Sequence, residues 1–218
     1  FGEKLMVEYF PGLIGAKSED AIDFLKYQAP QGGIAILPYG DSDLELSVKL
    51  AGLMPEAFDR MGLVQYFSSI TNDLKESRER AIIALTGLAC LNEPVLQELN
   101  IISSYQDLTV KEQLYLIFAL QELGDDNRAK ERLKPLLDKT EKLGPFLRLN
   151  TGVDQDDILE ATAMLAFLAE GHFDEEADKL LGYALENRSQ DILLYPEQLL
   201  FLEEGLAKLD QKPVSFSY

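Results

Sequence analysis

The chain has 218 residues, 46% of them hydrophobic, and a formal net charge of −18. This length predicts one domain with one sizeable core, and no apolar run reaches the roughly 18 residues of a membrane span, so insertion into a membrane is not expected. The acidic charge argues against binding to nucleic acid, which needs clusters of Lys and Arg, and against binding to anionic membrane surfaces.

The first residue is Phe1 rather than Met, and no charged segment followed by an apolar one opens the sequence. We therefore interpret the chain as a piece of a longer protein, and a removed signal peptide stays an open alternative. Residues 1–218 are expected to form a single domain of that protein.

The first distinctive stretch is the loop QAPQGGIAILPYGDSD, residues 28–43. Its two glycines lack the spacing of a dinucleotide or P-loop motif, so they predict a tight turn rather than a phosphate site. A capping box from Ser42 to Glu45 is predicted to start the next helix. We predict that any local binding surface uses the glycines and polar residues of this loop. These residues are Gln28, Gln31, Gly32, Gly33, Tyr39, Asp41 and Asp43.

The helical segments that follow are of two kinds. Segments 80–91, 113–123 and 158–169 are apolar nearly all round, which predicts burial on every side. Segments 126–138 and 174–187 carry one apolar stripe and one polar face, which predicts an outer position. The alternation of the two kinds favours a double layer of inner and outer helices.

Several residues mark predicted helix ends. Thr109 and Glu112 form a second capping box, and Gly124 and Gly171 follow helical segments as C-terminal caps. Pro135 lies inside a helical pattern and is expected to kink or break it.

Two stretches read as extended. One is 144–150, and the other is 212–218, in which Val214, Phe216 and Tyr218 alternate with serines. A lone strand at the end of a chain needs a partner sheet, so 212–218 predicts a neighbouring β-rich domain that is not part of this chain.

Few residues are of the cysteine and histidine types that usually act as nucleophiles or metal ligands. Cys90, the only cysteine, lies in an apolar run and is expected to be buried and inert. His172 is the only histidine, and with one histidine and one cysteine a metal site is not expected. We predict a protein that is not an enzyme, with no cofactor and no metal.

A family resemblance rests on four stretches. Residues 24–53, FLKYQAPQGGIAILPYGDSDLELSVKLAGL, are similar to the turn yQ-x-P-x-GG…(Y/W)-x-D-S-D-x-x-x-(S/T) of alpha-2-macroglobulin-like proteins, which links an outer and an inner helix of their complement-like, thioester-type domain. Residues 157–188 resemble a late helix pair of that domain, and 195–209 resemble its last inner helix. Residues 213–218 resemble the strand that enters the flanking β-sandwich domain.

The resemblance implies an α/α toroid, which is a closed double ring of helix pairs. It also implies a protein that entraps proteases by binding and conformational change, outside the cell or in the cell envelope. Expected partners are proteases or other domains of the same protein. The chain departs from the family in lacking the Cys-Gly-Glu-Gln thioester run, since Leu91, Asn92 and Glu93 follow Cys90, and it contains no Trp. The expected domain is therefore thioester-less and non-catalytic.

Two alternatives stay open. Asp154, Asp156 and Asp157 fit the Asp-x-Asp-Asp pattern with which class II terpene cyclases protonate an alkene, although acids also suit the start of a helix. An open helical-repeat scaffold that binds a peptide on a concave face would have a similar sequence period.

Overall fold

The computed structural model describes residues 23–152 and 154–187. Within these residues it contains eight α-helices, one β-hairpin and two short 3₁₀ helices, the latter over Phe24–Tyr27 and Pro55–Ala57. The helices are α1 (Leu44–Leu53), α2 (Arg60–Thr71), α3 (Arg78–Cys90), α4 (Leu96–Ser103), α5 (Val110–Glu122), α6 (Asp126–Leu137), α7 (Gln155–Ala169) and α8 (Asp174–Glu186). The strands are β1 (Glu141–Leu143) and β2 (Phe146–Arg148). The predicted all-α class is confirmed at this level.

Burial separates the helices into the two kinds that the sequence predicts. Helices α3, α5 and α7 bury nearly every residue past their first turn, including Ile117 and Leu165. Helix α6 buries only Ala129, Leu133 and Leu136, while its Lys130 and Glu131 are exposed. An all-round apolar sequence thus takes an inner place, and a striped sequence covers it.

Packing follows chain order. Helix α1 packs against α3, α3 against α5, and α5 against α7, which makes a row of inner helices. The even-numbered helices flank this row: α2 lies on α3, α4 on α3 and α5, α6 on α5 and α7, and α8 on α7. The main hydrophobic core runs along the interface between the two sets.

Helix starts are set by polar caps, with one correction to the sequence prediction. The Thr109–Glu112 capping box forms in both directions at the start of α5. At α1 the cap is Asp43, whose carboxylate accepts from the Leu46 N–H at 2.9 Å, so the predicted capping box from Ser42 to Glu45 is wrong. Ser42 instead accepts a hydrogen bond from the Gln31 amide at 3.0 Å.

Helix ends agree with the sequence at two glycines, and at Pro135 one of the two predicted effects, a break, does not occur. Gly124 and Gly171 follow α5 and α7 with φ values of 74° and 75°, a region that glycine enters without strain. Helix α6 continues through Pro135 to Leu137, so the proline does not break the helix. It lies in the last turn, where only one backbone hydrogen bond is lost.

The predicted extended stretch 144–150 contributes one strand of a hairpin. Strand β2 pairs antiparallel with β1 in the register Glu141↔Arg148 and Leu143↔Phe146, and Gly144 turns the chain with a φ of 60°. The β1 partner was not predicted. The hairpin is tied to α7 by the Leu149 N–H, which donates to the Thr162 hydroxyl at 3.0 Å.

Two predicted elements, the inner helix over 195–209 and the strand over 212–218, lie outside the described residues. None of the helices in the described part of the chain has the length and apolarity needed to cross a membrane.

Candidate functional site

The 28–43 loop is fastened to the start of α2 by the side chain of Gln28. Its amide nitrogen donates to the carbonyls of Gly32 at 2.8 Å and Asp59 at 2.9 Å, and its oxygen accepts from the Asp59 N–H at 2.7 Å. One glutamine therefore satisfies three backbone groups in two separate segments, so its role in this structure is internal.

The two glycines allow the loop to approach α2 closely. Gly32 has a φ of 97°, and a Cβ atom there would lie 2.0 Å from the Gly62 carbonyl oxygen. A Cβ atom on Gly33 would lie 2.7 Å from both the Ser42 Cβ and a ring carbon of Tyr66. Both positions need glycine for packing, which agrees with the predicted tight turn.

The apolar part of the loop belongs to the core. The Ile34 N–H donates to the buried Ser47 hydroxyl at 2.7 Å, and the Ile34 carbonyl accepts from the Asp43 N–H at 2.9 Å. Ile34 and Ala35 are buried. The loop is a folded connection that carries the chain from the 3₁₀ helix to α1.

The seven residues predicted as a binding surface thus divide into two groups. Gln28, Gln31 and Asp43 bond within the loop or to α1 and α2, and the glycines are buried. Tyr39, with 86% of its surface exposed, and Asp41 are left facing solvent at the tip. Gln31 and Asp43 are also exposed, but each makes an internal hydrogen bond, so Tyr39 and Asp41 are the members of the set left for a contact with another molecule.

A cavity that the sequence did not predict lies at the N-terminal ends of the inner helices α1, α3, α5 and α7. Its volume is about 390 Å³, within the range of small ligand sites. Its charged and polar walls include Glu45, Glu79, Lys111, Tyr115, Asp157 and Glu160. The signal in the sequence was an acidic residue in the first turn of each of the four inner helices.

A network of charges connects these walls. Glu45 accepts from Lys111 and from the Tyr115 hydroxyl, the latter at 3.0 Å. Lys49 of α1 pairs with Glu160 of α7 at 2.5 Å, and the Lys49 side chain is only 4% exposed. The network therefore joins the first and last helices of the inner row.

Burial and charge pairing act against each other on the pKa values of this network. Burial pushes the pKa of Glu160 upward, but the charge of Lys49 and its hydrogen bond outweigh burial, so the net shift is downward. Burial likewise opposes the ammonium form of Lys111, and the hydrogen bond and charge of Glu45 reverse the effect and raise its pKa. Both groups are charged at neutral pH.

The Asp-x-Asp-Asp run occupies the start of α7. Asp154 is the helix cap, with its carboxylate accepting from the Asp157 N–H at 2.9 Å. Asp156 is exposed, and Asp157 lines the cavity. These positions are those expected of acids at a helix start.

The lone cysteine and histidine lie apart from the cavity walls. Cys90 is buried at the end of α3, and burial raises the pKa of its thiol well above the ordinary value. His172 is partly buried in the turn between α7 and α8. In the described part of the chain, no group of three or more His, Cys, Asp or Glu side chains is arranged to hold a metal ion.

Comparison of the chain with protein-family models, with curated protein sequences and with solved structures finds no match in any of the three.

Proposed function

We propose that this chain is a thioester-less complement-like domain of an alpha-2-macroglobulin-like protein, which acts in protease entrapment by binding and conformational change. The observation that carries the proposal is the 24–53 segment. Three residues that match the family turn, Gln28, Gly32 and Gly33, fasten the loop that precedes the inner helix α1 onto the start of the outer helix α2.

A closed α/α toroid is part of the same proposal. In its support, the inner helices neighbour one another in chain order, and Lys49 and Glu160 connect α1 with α7 across the open side of the row. A row of four helices whose ends touch through an ion pair is strongly curved, as a ring of helix pairs requires.

The proposed mode of action is non-catalytic. In its support, the single cysteine is buried with a raised pKa, and Asp154 is engaged as a helix cap. A cyclase would use an aspartic acid of this run to protonate its substrate, and the positions of Asp154 and Asp156 favour the simpler role of starting α7.

Entrapment has a distinctive kinetic signature, which gives the test. A caged protease still reaches small peptides but no longer reaches folded proteins. We expect the full-length protein that contains residues 1–218 to suppress cleavage of casein by trypsin or subtilisin while cleavage of a chromogenic tripeptide continues. Equal loss of both activities, or loss of neither, would refute the proposal.

The loop tip gives a second test of the same proposal at residue level. Tyr39→Ala and Asp41→Ala alter the exposed tip without touching the internal hydrogen bonds of the loop. If the tip contacts the flanking domain or a protease, these variants keep their thermal stability and lose the protease-induced conformational change. Retention of the conformational change would show that the tip is a spacer.

A further inference from the structure

One arginine on the outer layer differs from the others in having no acidic partner. The arginines that pair with a carboxylate at 3.0 Å or less are Arg60, Arg78, Arg80, Arg128 and Arg148. The sixth arginine of the described residues, Arg132 on α6, forms no ion pair with any of them, although the chain contains 38 acids. An arginine without a carboxylate is therefore the unusual case in this chain.

Arg132 lies in a seam between the outer helices α4 and α6. One of its N–H groups donates to the carbonyl of Ser103, the last residue of α4, at 2.6 Å. One turn earlier on α6, Arg128 crosses the same seam and donates to the Asn100 side chain at 2.5 Å. We call these four residues the α4–α6 seam. Burial lowers the pKa of Arg132, and the charge of Arg128 lowers it further, so the Arg132 cation is partly desolvated without a compensating acid.

Arg60 has the same arrangement with a carboxylate in place. It also extends from an outer helix, α2, and donates to a backbone carbonyl at the end of a neighbouring helix, that of Leu91 after α3, at 2.6 Å. It then binds the Glu93 carboxylate at 2.7 Å. A guanidinium has five N–H donors, so one carbonyl leaves donors free for a carboxylate. The position that Glu93 fills beside Arg60 has no counterpart beside Arg132 in the described part of the chain.

The charge around Arg132 is positive, in contrast to the chain as a whole. The stretch 128–134 of α6 contains one acid, Glu131, and four cations, which are Arg128, Lys130, Arg132 and Lys134. The chain carries a net charge of −18. Charge complementarity at this part of α6 therefore favours an acidic group as the occupant.

Apolar side chains of α4 lie beside the seam. Leu96 precedes Asn100 by one helical turn, so these two residues share the flank of α4 that faces α6. Leu96 is 48% exposed, and Ile101, next to Asn100, is 54% exposed. A small free anion would leave these side chains uncovered, whereas a peptide can cover them while it places an acid on Arg132. An arginine beside apolar surface is typical of the centre of a protein interface.

We propose that the α4–α6 seam binds an acidic segment of a protein partner, with an aspartate or glutamate carboxylate of that segment paired with Arg132. The carboxylate takes the place that Glu93 has beside Arg60, and an apolar residue next to it in the segment covers Leu96. This inference goes beyond the proposed function, because it concerns the outer surface of α4 and α6 and depends neither on the loop tip nor on protease entrapment.

The test uses the full 218-residue chain and a blocked hexapeptide, acetyl-Gly-Gly-Glu-Leu-Gly-Gly-amide. The peptide is titrated into the isotope-labelled chain at about 0.15 M NaCl, which screens the net charge, and binding is followed by backbone NMR. The control peptide has glutamine in place of glutamate, which keeps the shape and removes the charge. We expect the glutamate peptide to bind in the millimolar range, with shifts concentrated near Ser103 and Arg132, and the glutamine peptide to bind at least about threefold more weakly.

Two cations of α6 provide a matched pair of variants. Arg132→Gln removes the unpaired guanidinium and keeps an amide donor for the Ser103 carbonyl, whereas Lys134→Gln removes the same charge from an exposed position on the same helix. We expect Arg132→Gln to weaken binding of the glutamate peptide by about threefold to tenfold, and Lys134→Gln by less than about twofold. Thermal unfolding shows whether each variant is folded at the temperature of the titration.

Arg132→Lys decides the question if Arg132→Gln does not fold. It keeps the charge and a donor for the Ser103 carbonyl but lacks the planar fork that holds a carboxylate through two hydrogen bonds. We expect this variant to bind the glutamate peptide at least about twofold more weakly than the wild type. Unchanged binding would contradict the pairing with Arg132.

Four further outcomes would overturn the proposal: no binding of the glutamate peptide, equal binding of the glutamine peptide, equal losses in Arg132→Gln and Lys134→Gln, or binding of sodium acetate as tight as that of the peptide. The last result would mean a site for a free anion. The protease-protection assay is independent of this titration, so failure of protection with intact peptide binding would remove the proposed function alone. Failure of peptide binding with intact protection would remove this inference alone.

Discussion

The contact between Gly32 and Gly62 sets the tightest constraint at the scale of single residues. Gly32→Ala adds a methyl group 2.0 Å from a backbone carbonyl oxygen at a φ of 97°, so neither the side chain nor the backbone can relax locally. We expect the free energy of unfolding to fall by at least about 2 kcal/mol in urea denaturation at neutral pH.

Gly124→Ala is the matched control. Gly124 also has a positive φ, of 74°, but nothing lies within 4 Å of the added Cβ. This variant should cost only the backbone strain, about 1 kcal/mol. If the two variants were equally stable, the close packing of the loop on α2 would be wrong.

Glu122 makes stability depend on pH. Burial near the end of α5 raises its pKa to about 7. The folded state therefore retains a proton that the unfolded chain releases, so the contribution of Glu122 to stability is full below about pH 4.5 and declines as the pH rises through about 7. Relative to Glu122→Gln, the wild type should lose about 2 kcal/mol between pH 5 and pH 8.

Urea denaturation of both proteins across this pH range measures the effect. As a control, the stability of Glu98→Gln, a change at an exposed position on α4, should vary with pH in the same way as that of the wild type. If stability varied with pH in the same way for the wild type and Glu122→Gln, the pKa of Glu122 would not be raised in the folded state.

At the scale of elements, the start of α1 separates two neighbouring candidates for the cap. The Asp43 carboxylate accepts from the Leu46 N–H, whereas Ser42 bonds only to the exposed side chain of Gln31. Asp43→Ala is expected to destabilise the chain by about 1 kcal/mol, and Ser42→Ala by a few tenths. Thermal unfolding of the two variants checks this order, and the reverse order would restore the cap predicted from sequence.

Sequence patterns predicted the elements that are determined by contacts between residues close together in the chain. The Thr109–Glu112 box and the all-round apolarity of α5 depend on near neighbours, so both were readable before the structure. Strand β1 was not, because Glu141–Leu143 is short and largely exposed, and its state depends on pairing with β2 after the Gly144 turn. The Ser42 error arose because two cap residues stand side by side in "DSD" and either could start α1.

The cavity could not be predicted for a different reason. Glu45, Lys111 and Glu160 lie on three helices and are far apart in the chain, and they meet only once the helices have packed. The 28–43 loop is the opposite case, in which the sequence predicted a site that the structure largely explains otherwise. Its polar composition indicated a binding surface, but Gln28 forms its hydrogen bonds within the fold.

At the scale of the whole molecule, the net charge of −18 produces long-range electrostatic repulsion. Repulsion among the excess acids opposes the compact state, and salt screens it, since the Debye length falls from about 30 Å at 0.01 M to about 3 Å at 1 M. We expect the urea midpoint to rise as NaCl increases across this range. The buried Lys49–Glu160 pair is screened much less. A falling midpoint would mean that exposed ion pairs outweigh the overall repulsion.

The buried position of Cys90 equips the chain with a reporter of its own opening. Because it is the single thiol, a disulfide reagent such as DTNB can label one site only, and that site is closed while α3 stays packed. When reclosing is faster than labelling, the labelling rate measures the population of opened molecules. Labelling of Cys90 in native buffer should therefore be slow, and its rate should rise with urea in proportion to the opened fraction. The native chain thus contains its own probe for opening of the inner helices, and no engineered cysteine is needed.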